Sequence, residues 1–273
     1  MSYKLLLCSE GDIASVNIRD ALIETGKWDD DGNFLYHNDT VIMSVQDMHI
    51  RAENIDDKAK EAGIDAKEMI FLSRHKAASG IPTLTVHPIG NFHNAELGGR
   101  SFTLVRSSPG TMTGLLRSLA SMDTGHYQVS FEVTHHGPWV SIPSTFIEIG
   151  SDESQWGNKE AAKMLASALM SYEEKECVSA IGIGGGHYAP RFTEVAVGYD
   201  INFGHMIPEY AFKSSDDDDI ARMIKASAEN TFTKLAYIHR KSMKGEMYRR
   251  ILSIVASCGL EAISSSDLDV SGN

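Results

Sequence analysis

The chain has 273 residues, a formal net charge of −12 at pH 7 and three cysteines, Cys8, Cys177 and Cys258. This length corresponds to one large domain or two small ones, and it can bury a sizeable core without metal or disulfide support. No Cys-x-x-Cys pair is present, so a zinc ribbon and a disulfide framework are excluded. We expect a cytoplasmic protein, because the first residues do not form a signal peptide and no run approaches the ~18 apolar residues that span a bilayer.

In chain order, apolar runs predict strands that alternate with helices. Strands are predicted at residues 3–8, 69–72, 83–86, 127–134, 146–149, 178–183, 195–199 and 235–238, with a hairpin at 29–45. Helices are predicted at 13–25, 56–62, 112–122, 159–174, 217–228 and 245–258. Several of the strands are uniformly apolar, which indicates a sheet that is covered on both faces.

These elements predict an α/β fold, with one three-layer α/β/α domain over residues 1–273 built on a mixed, mainly parallel sheet. Insertions are expected near residues 27–50 and 90–110, the second as an ordered functional loop rich in Gly, Asn and Ser. Residues 264–273 are expected to form a flexible tail.

Net negative charge argues against a general polyanion binder, but basic residues are concentrated in one segment. Residues 234–250 contain Lys234, Arg240, Lys241, Lys244, Arg249 and Arg250 against the single acid Glu246. Charges are screened within about 8–10 Å, so a local basic face can bind phosphates on an acidic protein. A solvated helix face is the alternative interpretation of this segment.

Eleven histidines are present, and five predicted strands end in one. These strand-end histidines are His75, His87, His135 with His136, His187 and His239. Ligands of open α/β sheets bind outside the carboxyl ends of strands, so we expect most of these imidazoles to share one site. Strand alternation predicts that Glu132 and His136 face away from His135, so only one of the two adjacent histidines should enter that site.

Gly184-Gly185-Gly186-His187-Tyr188 follows an apolar strand, and its amides predict either an anion-binding nest or a tightly packed loop. His187 occupies the last glycine position of the dinucleotide pattern and no Walker A motif exists, so NAD and NTP binding are rejected. His93-Asn94-Ala95-Glu96 is a weak zinc motif. Arg100, Arg106 and Arg191 flank these loops and can bind phosphate or form ordinary surface ion pairs.

Four segments in combination resemble one family. They are Ser73-Arg74-His75-Lys76 leading into His87-Pro88-Ile89-Gly90-Asn91, Glu132-Val133-Thr134-His135-His136-Gly137-Pro138, Gly184-Gly185-Gly186-His187-Tyr188-Ala189-Pro190-Arg191-Phe192-Thr193, and Gly198-Tyr199 leading to Gly204-His205. The chain resembles the archaeal and plant type of D-aminoacyl-tRNA deacylase from about Lys4 to the last helix.

The resemblance implies a phosphorylase/hydrolase-like fold, similar to that of peptidyl-tRNA hydrolases. It also implies zinc as a cofactor and hydrolysis of the ester between a D-amino acid and tRNA. The acceptor end of D-aminoacyl-tRNA is the expected partner; no membrane or DNA partner is expected, and a monomer is the default.

Roles for individual residues follow as hypotheses from the motifs and the resemblance together. His75, His135 and His187 are expected around a metal or a water, with Glu132 or His136 as base or as a support behind the ligands. A metal-free version uses a histidine as general base. The expected substrate-binding residues are Ser73, Gly185, Gly186, Tyr188, Arg191, Lys234, Arg240 and Lys241.

Three other functions remain open. A zinc-dependent peptidase or amidase of the same fold class would cleave amides without needing tRNA. A non-enzymatic RNA- or phosphate-binding module would bind through the glycine loop without turnover, and it leaves the strand-end histidines unexplained. A phosphorylase would require phosphate as cosubstrate.

Overall fold

Two β-sheets carry the fold in the computed structural model, which describes residues 2–271. The large sheet contains, in spatial order, Asp29–Asp30 (β2), Phe34–His37 (β3), Thr40–Val45 (β4), Tyr3–Ser9 (β1), Ala66–Arg74 (β5), Ser144–Gly150 (β10), Thr83–Pro88 (β6) and Gln128–Phe131 (β9). The β4–β1–β5–β10 block is parallel, β6 is antiparallel to β10, and β9 is parallel to β6. The mixed, mainly parallel α/β architecture is therefore confirmed.

A second sheet is formed by the carboxyl-terminal part of the chain, where the sequence predicted a continuation of the first. It contains Ile201–Ile207 (β12), Val178–Ile183 (β11), Leu235–Ile238 (β13) and Glu261–Ile263 (β14), all parallel. The residues after β9 join the two sheets, since Val133 N–H donates to His187 O and Thr134 N–H donates to Met206 O, both at 3.0 Å. A short pair, Gly90–Asn91 (β7) and Thr103–Leu104 (β8), lies within the loop predicted at 90–110.

Helices cover these sheets. They are Ile13–Thr25 (α1), Ile55–Glu61 (α2), Pro109–Ala120 (α3), Glu153–Trp156 (α4), Lys159–Ser171 (α5), Pro190–Gly198 (α6), Glu209–Phe212 (α7), Asp217–Thr231 (α8) and Gly245–Ser257 (α9), with 3₁₀ turns at His49–Arg51, Arg240–Ser242 and Ser265–Asp267. The α1, α3 and α5 helices bury one face of the large sheet, whereas α8 and α9 pack on the small sheet. Among residues 2–271, no helix combines the length and apolarity that crossing a bilayer requires.

The strand predicted at residues 195–199 is wrong, because residues 195–198 form the end of α6 and Tyr199 caps it. Alternating Val195 and Val197 favoured a strand, but Pro190 fixes the first helical position of α6. The strand of this region is β12, which follows and was not predicted. Its Asn202, Gly204 and His205 interrupt the apolar pattern that identifies a strand, although all seven residues of β12 are buried.

Residues 264–271, which the sequence analysis assigned to a flexible tail, make defined contacts. Ser265 Oγ accepts a hydrogen bond from Arg191 Nη2 at 2.7 Å, and Ser271 N–H donates to Gly198 O at 3.0 Å. Residues 272 and 273 lie outside the described part of the chain.

Candidate active site

The candidate site lies on one face of the large sheet, where it meets the small sheet, and not at a sheet edge. Phe71, Phe146 and His87 are adjacent on β5, β10 and β6 and stack with ring centroids 4.6 and 4.9 Å apart. Glu148 follows two residues after Phe146 and therefore points to the same face. The expectation of one carboxyl edge is wrong, because β6 runs antiparallel to β10 and its carboxyl end lies at the opposite edge from that of β5.

Glu132 is at the centre of a histidine cluster. Its side chain is fully buried, and Oε2 lies 2.9 Å from His187 Nε2, 3.2 Å from His75 Nδ1 and 3.5 Å from His135 Nε2. Glu132 follows β9, His75 follows β5 and His187 follows β11, so both sheets contribute. The structure therefore brings together His75, His135, His187 and Glu132, the residues that the sequence motifs singled out.

A second buried carboxylate, Glu148 on β10, was missed by sequence reasoning. Its Oε2 lies 3.5 Å from His75 Nδ1 and 3.6 Å from His87 Nε2, and its side chain is 2 % exposed. The available signal was an acid within the otherwise apolar run of β10, since an ionised carboxylate is buried only with partners. Glu148 links His87 to the cluster around Glu132.

The adjacent histidines take different positions because β9 ends at Phe131. Strand alternation no longer applies beyond that residue, so the prediction that Glu132 and His135 face opposite ways is wrong. His136 has a φ of +40° and packs its ring against those of His87 and His135, at 5.0 and 4.3 Å. His135 thus contacts Glu132, while His136 lies behind it.

Charge is distributed unevenly in this buried cluster. Burial opposes protonation of His75 and His87, but the neighbouring Glu148 and Glu132 carboxylates raise the pKa of both histidines overall. The imidazoles in turn outweigh burial and lower the pKa of Glu132 and, more strongly, that of Glu148.

The pKa of His135 is held well below 6.5, first by burial and then by the neighbouring imidazoles, and that of His136 is lowered to about 4 for the same reasons. The cluster therefore pairs two ionised carboxylates with two protonatable histidines and keeps His135 and His136 neutral.

The donor set around Glu132 suits a zinc ion. One ligand atom from each of His75, Glu132, His135 and His187 lies within 4.8 Å of the others. Tetrahedral zinc with bonds of ~2.0–2.2 Å places its ligands about 3.3–3.6 Å apart, close to the observed 2.9–3.5 Å from Glu132 to its three histidines. Within the described residues, neither carboxylate oxygen of Glu132 has a hydrogen-bond partner of good geometry, which a cation at this point would correct.

The glycine loop combines tight packing with free amides. Gly184 and Gly185 have φ angles of +109° and +86°, and a Cβ on Gly184 would lie 2.5 Å from Ser242 Oγ. In the described part of the chain, the N–H groups of Gly185, Gly186 and His187 donate to no protein acceptor. Tight packing is therefore observed at Gly184, while the anion-binding nest at the amides that follow stays a prediction.

Tyr188 and Trp156 fix His75 from behind. The Tyr188 hydroxyl lies 3.1 Å from His75 Nε2, and Trp156 Nε1–H donates to His75 O at 2.9 Å. This arrangement leaves Nδ1 of His75 facing Glu132 and Glu148. Ser73 is buried below the cluster, with its hydroxyl 3.5 Å from Asp12 Oδ2.

The other candidate binding residues lie apart from the cluster. Arg191 donates to the Tyr237 hydroxyl and to Ser265, and pairs with Glu194 at 2.9 Å. Arg240, Lys241 and His239 lie together after β13, whereas Lys234 precedes that strand and lines a different cleft. The basic segment is therefore divided between the two ends of β13.

Arginines of the flanking loops pack on aromatic rings. Arg100 lies over Trp139 with its guanidinium carbon 3.5 Å from the ring centroid, and Arg106 lies over Phe232 at 4.5 Å. His93 Nε2 lies 2.8 Å from Ala211 O, so the His93–Glu96 motif does not join the cluster.

A cleft of about 310 Å³ opens onto His135 and His136. Its walls include Phe92, Leu97 and Tyr210, with Asn91 and Glu96 as polar lining. The cleft therefore reaches the cluster on the side of His135 and His136.

This fold and site define an α/β protein with a buried histidine–carboxylate centre beside an open cleft, an arrangement typical of hydrolases that activate water. A family model described as D-aminoacyl-tRNA deacylase matches residues 62–263. The chain belongs to the D-aminoacyl-tRNA deacylase family, and the resemblance drawn from its motifs is confirmed.

Relatives named D-aminoacyl-tRNA deacylase support this assignment along nearly the whole chain. The relative of Methanosarcina mazei is 33% identical, and the alignment covers 96% of this chain and 92% of that protein. The relative of Thermococcus onnurineus is also 33% identical, with 95% of this chain and 99% of that protein covered. The Methanococcoides burtonii relative is 35% identical over 97% of the chain, which spans 57% of that longer protein. A crystal structure described as a conserved protein of unknown function, AF0625, is 31% identical with a TM-score of 0.86, covering 98% and 96% of the two chains.

Proposed function

We propose that this chain hydrolyses the ester bond between a D-amino acid and the terminal ribose of tRNA, releasing free D-amino acid and tRNA. The observation that carries the proposal is the convergence of His75, His135 and His187 on the buried Glu132 carboxylate in a member of this family. Ester hydrolysis needs a deprotonated water and donors for the developing oxyanion, and the cluster and the glycine loop offer both. We place this activity in the cytoplasm, with the protein acting as a monomer.

Zinc is part of the proposal. Three of the four groups His75, Glu132, His135 and His187 would hold it, because their ligand atoms lie within 4.8 Å of one another and a catalytic zinc site keeps one position for water. When bound there, zinc would lower the pKa of a coordinated water to about 7 and polarise the ester carbonyl. The Tyr188 hydroxyl, 3.1 Å from Nε2 of His75, would orient this ring from the nitrogen that faces away from zinc, as outer partners orient metal-binding histidines.

The glycine loop supplies the oxyanion donors. The N–H groups of Gly185 and Gly186 have no protein acceptor in the part of the chain that the structure describes, and they precede His187 directly. Donors fixed before reaction stabilise developing charge by about 3–4 kcal/mol each, as removal of single donors shows in other enzymes. The aminoacyl group then occupies the cleft of about 310 Å³ beside His135 and His136.

A version without metal uses His187 as the general base. Its side chain is 36% exposed, against 6% for His75 and 20% for His135, so it faces the substrate most openly. Glu132 lies 2.9 Å from its Nε2 and would hold the imidazolium formed during reaction.

The test is incubation of the purified protein with matched D- and L-tyrosyl-tRNA, following release of free tyrosine with and without a zinc chelator. We expect loss of the D-ester alone, at a rate that falls in chelator and recovers on addition of zinc. D-ester hydrolysis that is insensitive to chelator favours the histidine base. If neither ester is cleaved with zinc present, the proposal fails, and tRNA-independent amide cleavage or RNA binding without turnover becomes the function to test.

A further inference from the structure

A second and larger cleft lies behind the glycine loop, outside the histidine–carboxylate cluster. This basic cleft has a volume of about 690 Å³ and is lined by Arg191, His239, Arg240, Lys241 and three consecutive serines, Ser264, Ser265 and Ser266. Glu194 is its carboxylate lining residue and is paired with Arg191 at 2.9 Å. The lining of the cleft therefore carries more cationic than anionic side chains, on a chain whose net charge is −12.

The glycine loop connects the basic cleft to the candidate active site. His239 N–H donates to Ile183 O at 2.8 Å, so the cleft begins where β11 ends and the glycine loop starts. A Cβ on Gly185 would lie 3.4 Å from His239 Nδ1, while His187, two residues further on, contacts Glu132. Three residues of loop separate Ile183 from His187, a path of at most ~14 Å. A ligand in the basic cleft thus lies within reach of the hydrolytic centre.

Two cations of this cleft are free to bind an anion. Arg240 and Lys241 are exposed and form no ion pair within residues 2–271, and Arg240 is steadied over the ring of Tyr248 at 4.7 Å. By contrast, Arg250 is engaged by Asp217 at 2.6 Å. Arg191 also has an ion-pair partner, Glu194, and it donates a hydrogen bond to Ser265, one of the three serines that line the cleft.

We propose that the basic cleft binds a backbone phosphate of the single-stranded 3′ end of the RNA substrate, with Arg240 and Lys241 as the charged donors and the serine hydroxyls as neutral ones. This inference rests on the proposed function, which brings an aminoacylated RNA end to the adjacent centre. Guanidinium, ammonium and hydroxyl donors together suit phosphate oxygens and carry no base specificity. The cleft therefore acts on affinity for the RNA, not on the chemical step.

The test compares wild type, the double variant Arg240→Gln/Lys241→Gln and the control Lys225→Gln. Lys225 is exposed on α8 and lines a different cleft, so it controls for lost positive charge. With D-tyrosyl-tRNA, we expect the double variant to raise KM about 10- to 30-fold with kcat nearly unchanged, and to reduce the slope of log KM against log salt by about 1.4. With D-tyrosyl-adenosine, which has no phosphate, all three proteins should have equal kcat/KM.

Binding of uncharged RNA separates this inference from the proposed function. The probe is a fluorescein-labelled tRNA minihelix with a free 3′ end, measured by anisotropy. Loss of affinity in the double variant but not in Lys225→Gln supports the basic cleft even if wild type cleaves no ester. Equal affinity and equal KM in the double variant and the control would overturn the inference while leaving the proposed hydrolysis intact.

Discussion

Glu132 is the group on which the cluster depends, so its replacement by glutamine is the sharpest perturbation of the site. The change keeps the shape of the side chain but removes the charge that three imidazoles share. At the 3.2 Å separation from His75 Nδ1, a unit charge pair contributes at most about 5 kcal/mol with an effective dielectric constant of ~20. Allowing for screening and relaxation, we expect Glu132→Gln to lower kcat/KM for D-tyrosyl-tRNA roughly 10³-fold.

The assay for this prediction is single-turnover release of tyrosine, with zinc content measured on the same samples. Glu160→Gln is the matched control, because Glu160 is 75% exposed on α5 and pairs only with Lys163 among the described residues. Circular dichroism checks that both variants are folded. Retention of more than a tenth of wild-type kcat/KM by Glu132→Gln would refute the assignment of a central role to this carboxylate.

Three further predictions follow from contacts around the site. Gly137→Ala places a Cβ 2.1 Å from Gly99 N, so it should lower the free energy of unfolding by about 1–3 kcal/mol and also lower kcat/KM. In the control Gly157→Ala, the Cβ would lie 3.8 Å from Ile13 Cδ1, so neither quantity should change. Thermal unfolding and activity assays measure the two effects. Tyr188→Phe should weaken zinc binding about 10- to 100-fold in chelator titrations, with the fold unchanged by circular dichroism, because His75 loses the hydroxyl at 3.1 Å. Burial lowers the pKa of His205 to about 4 from 6.5, so the stability that its neutral form contributes is full above pH 6.5 and is lost as the pH falls towards 4. Wild type should therefore lose free energy of unfolding between pH 7 and pH 5, and in His205→Gln this loss should be smaller by about 2 kcal/mol, as measured by urea unfolding.

The helices α1, α2, α3, α5, α8 and α9 were predicted because their signals are local, whereas part of α6 was predicted as a strand. Asp12 accepts hydrogen bonds from the first turn of α1, and the predicted bounds of this helix are those observed. The pairing of distant strands has no such local signal. Nothing near Thr83–Pro88 indicates that β6 runs antiparallel to β10, so the direction in which β6 presents His87 was not predictable from the sequence.

The histidines of the site were predictable, but their arrangement was not. His75, His135 and His187 stood out because each follows an apolar strand, yet the face on which they meet depends on the register of β5, β10 and β6. Glu148 has its role only through that register. Likewise, the contact of Glu132 with His135 depends on where β9 ends, and strand boundaries are the least predictable feature of a sequence.

The basic segment shows how a charge pattern in sequence can divide in space. Lys234 and Lys241 lie on either side of β13, a strand of four residues that extends about 13 Å. Sequence proximity therefore suggested one basic face, whereas the structure gives a basic cleft at one end of β13 and a separate cleft at the other.

Deacylation of D-tyrosyl-tRNA by His187→Ala, compared with wild type under single-turnover conditions, tests the central claim most directly. The proposal gives His187 the role of a zinc ligand in one version and of the general base in the other, so both versions predict a loss of at least about 10²-fold in the rate of tyrosine release. Full turnover by a folded His187→Ala protein would contradict both versions and remove the histidine–carboxylate cluster as the hydrolytic centre.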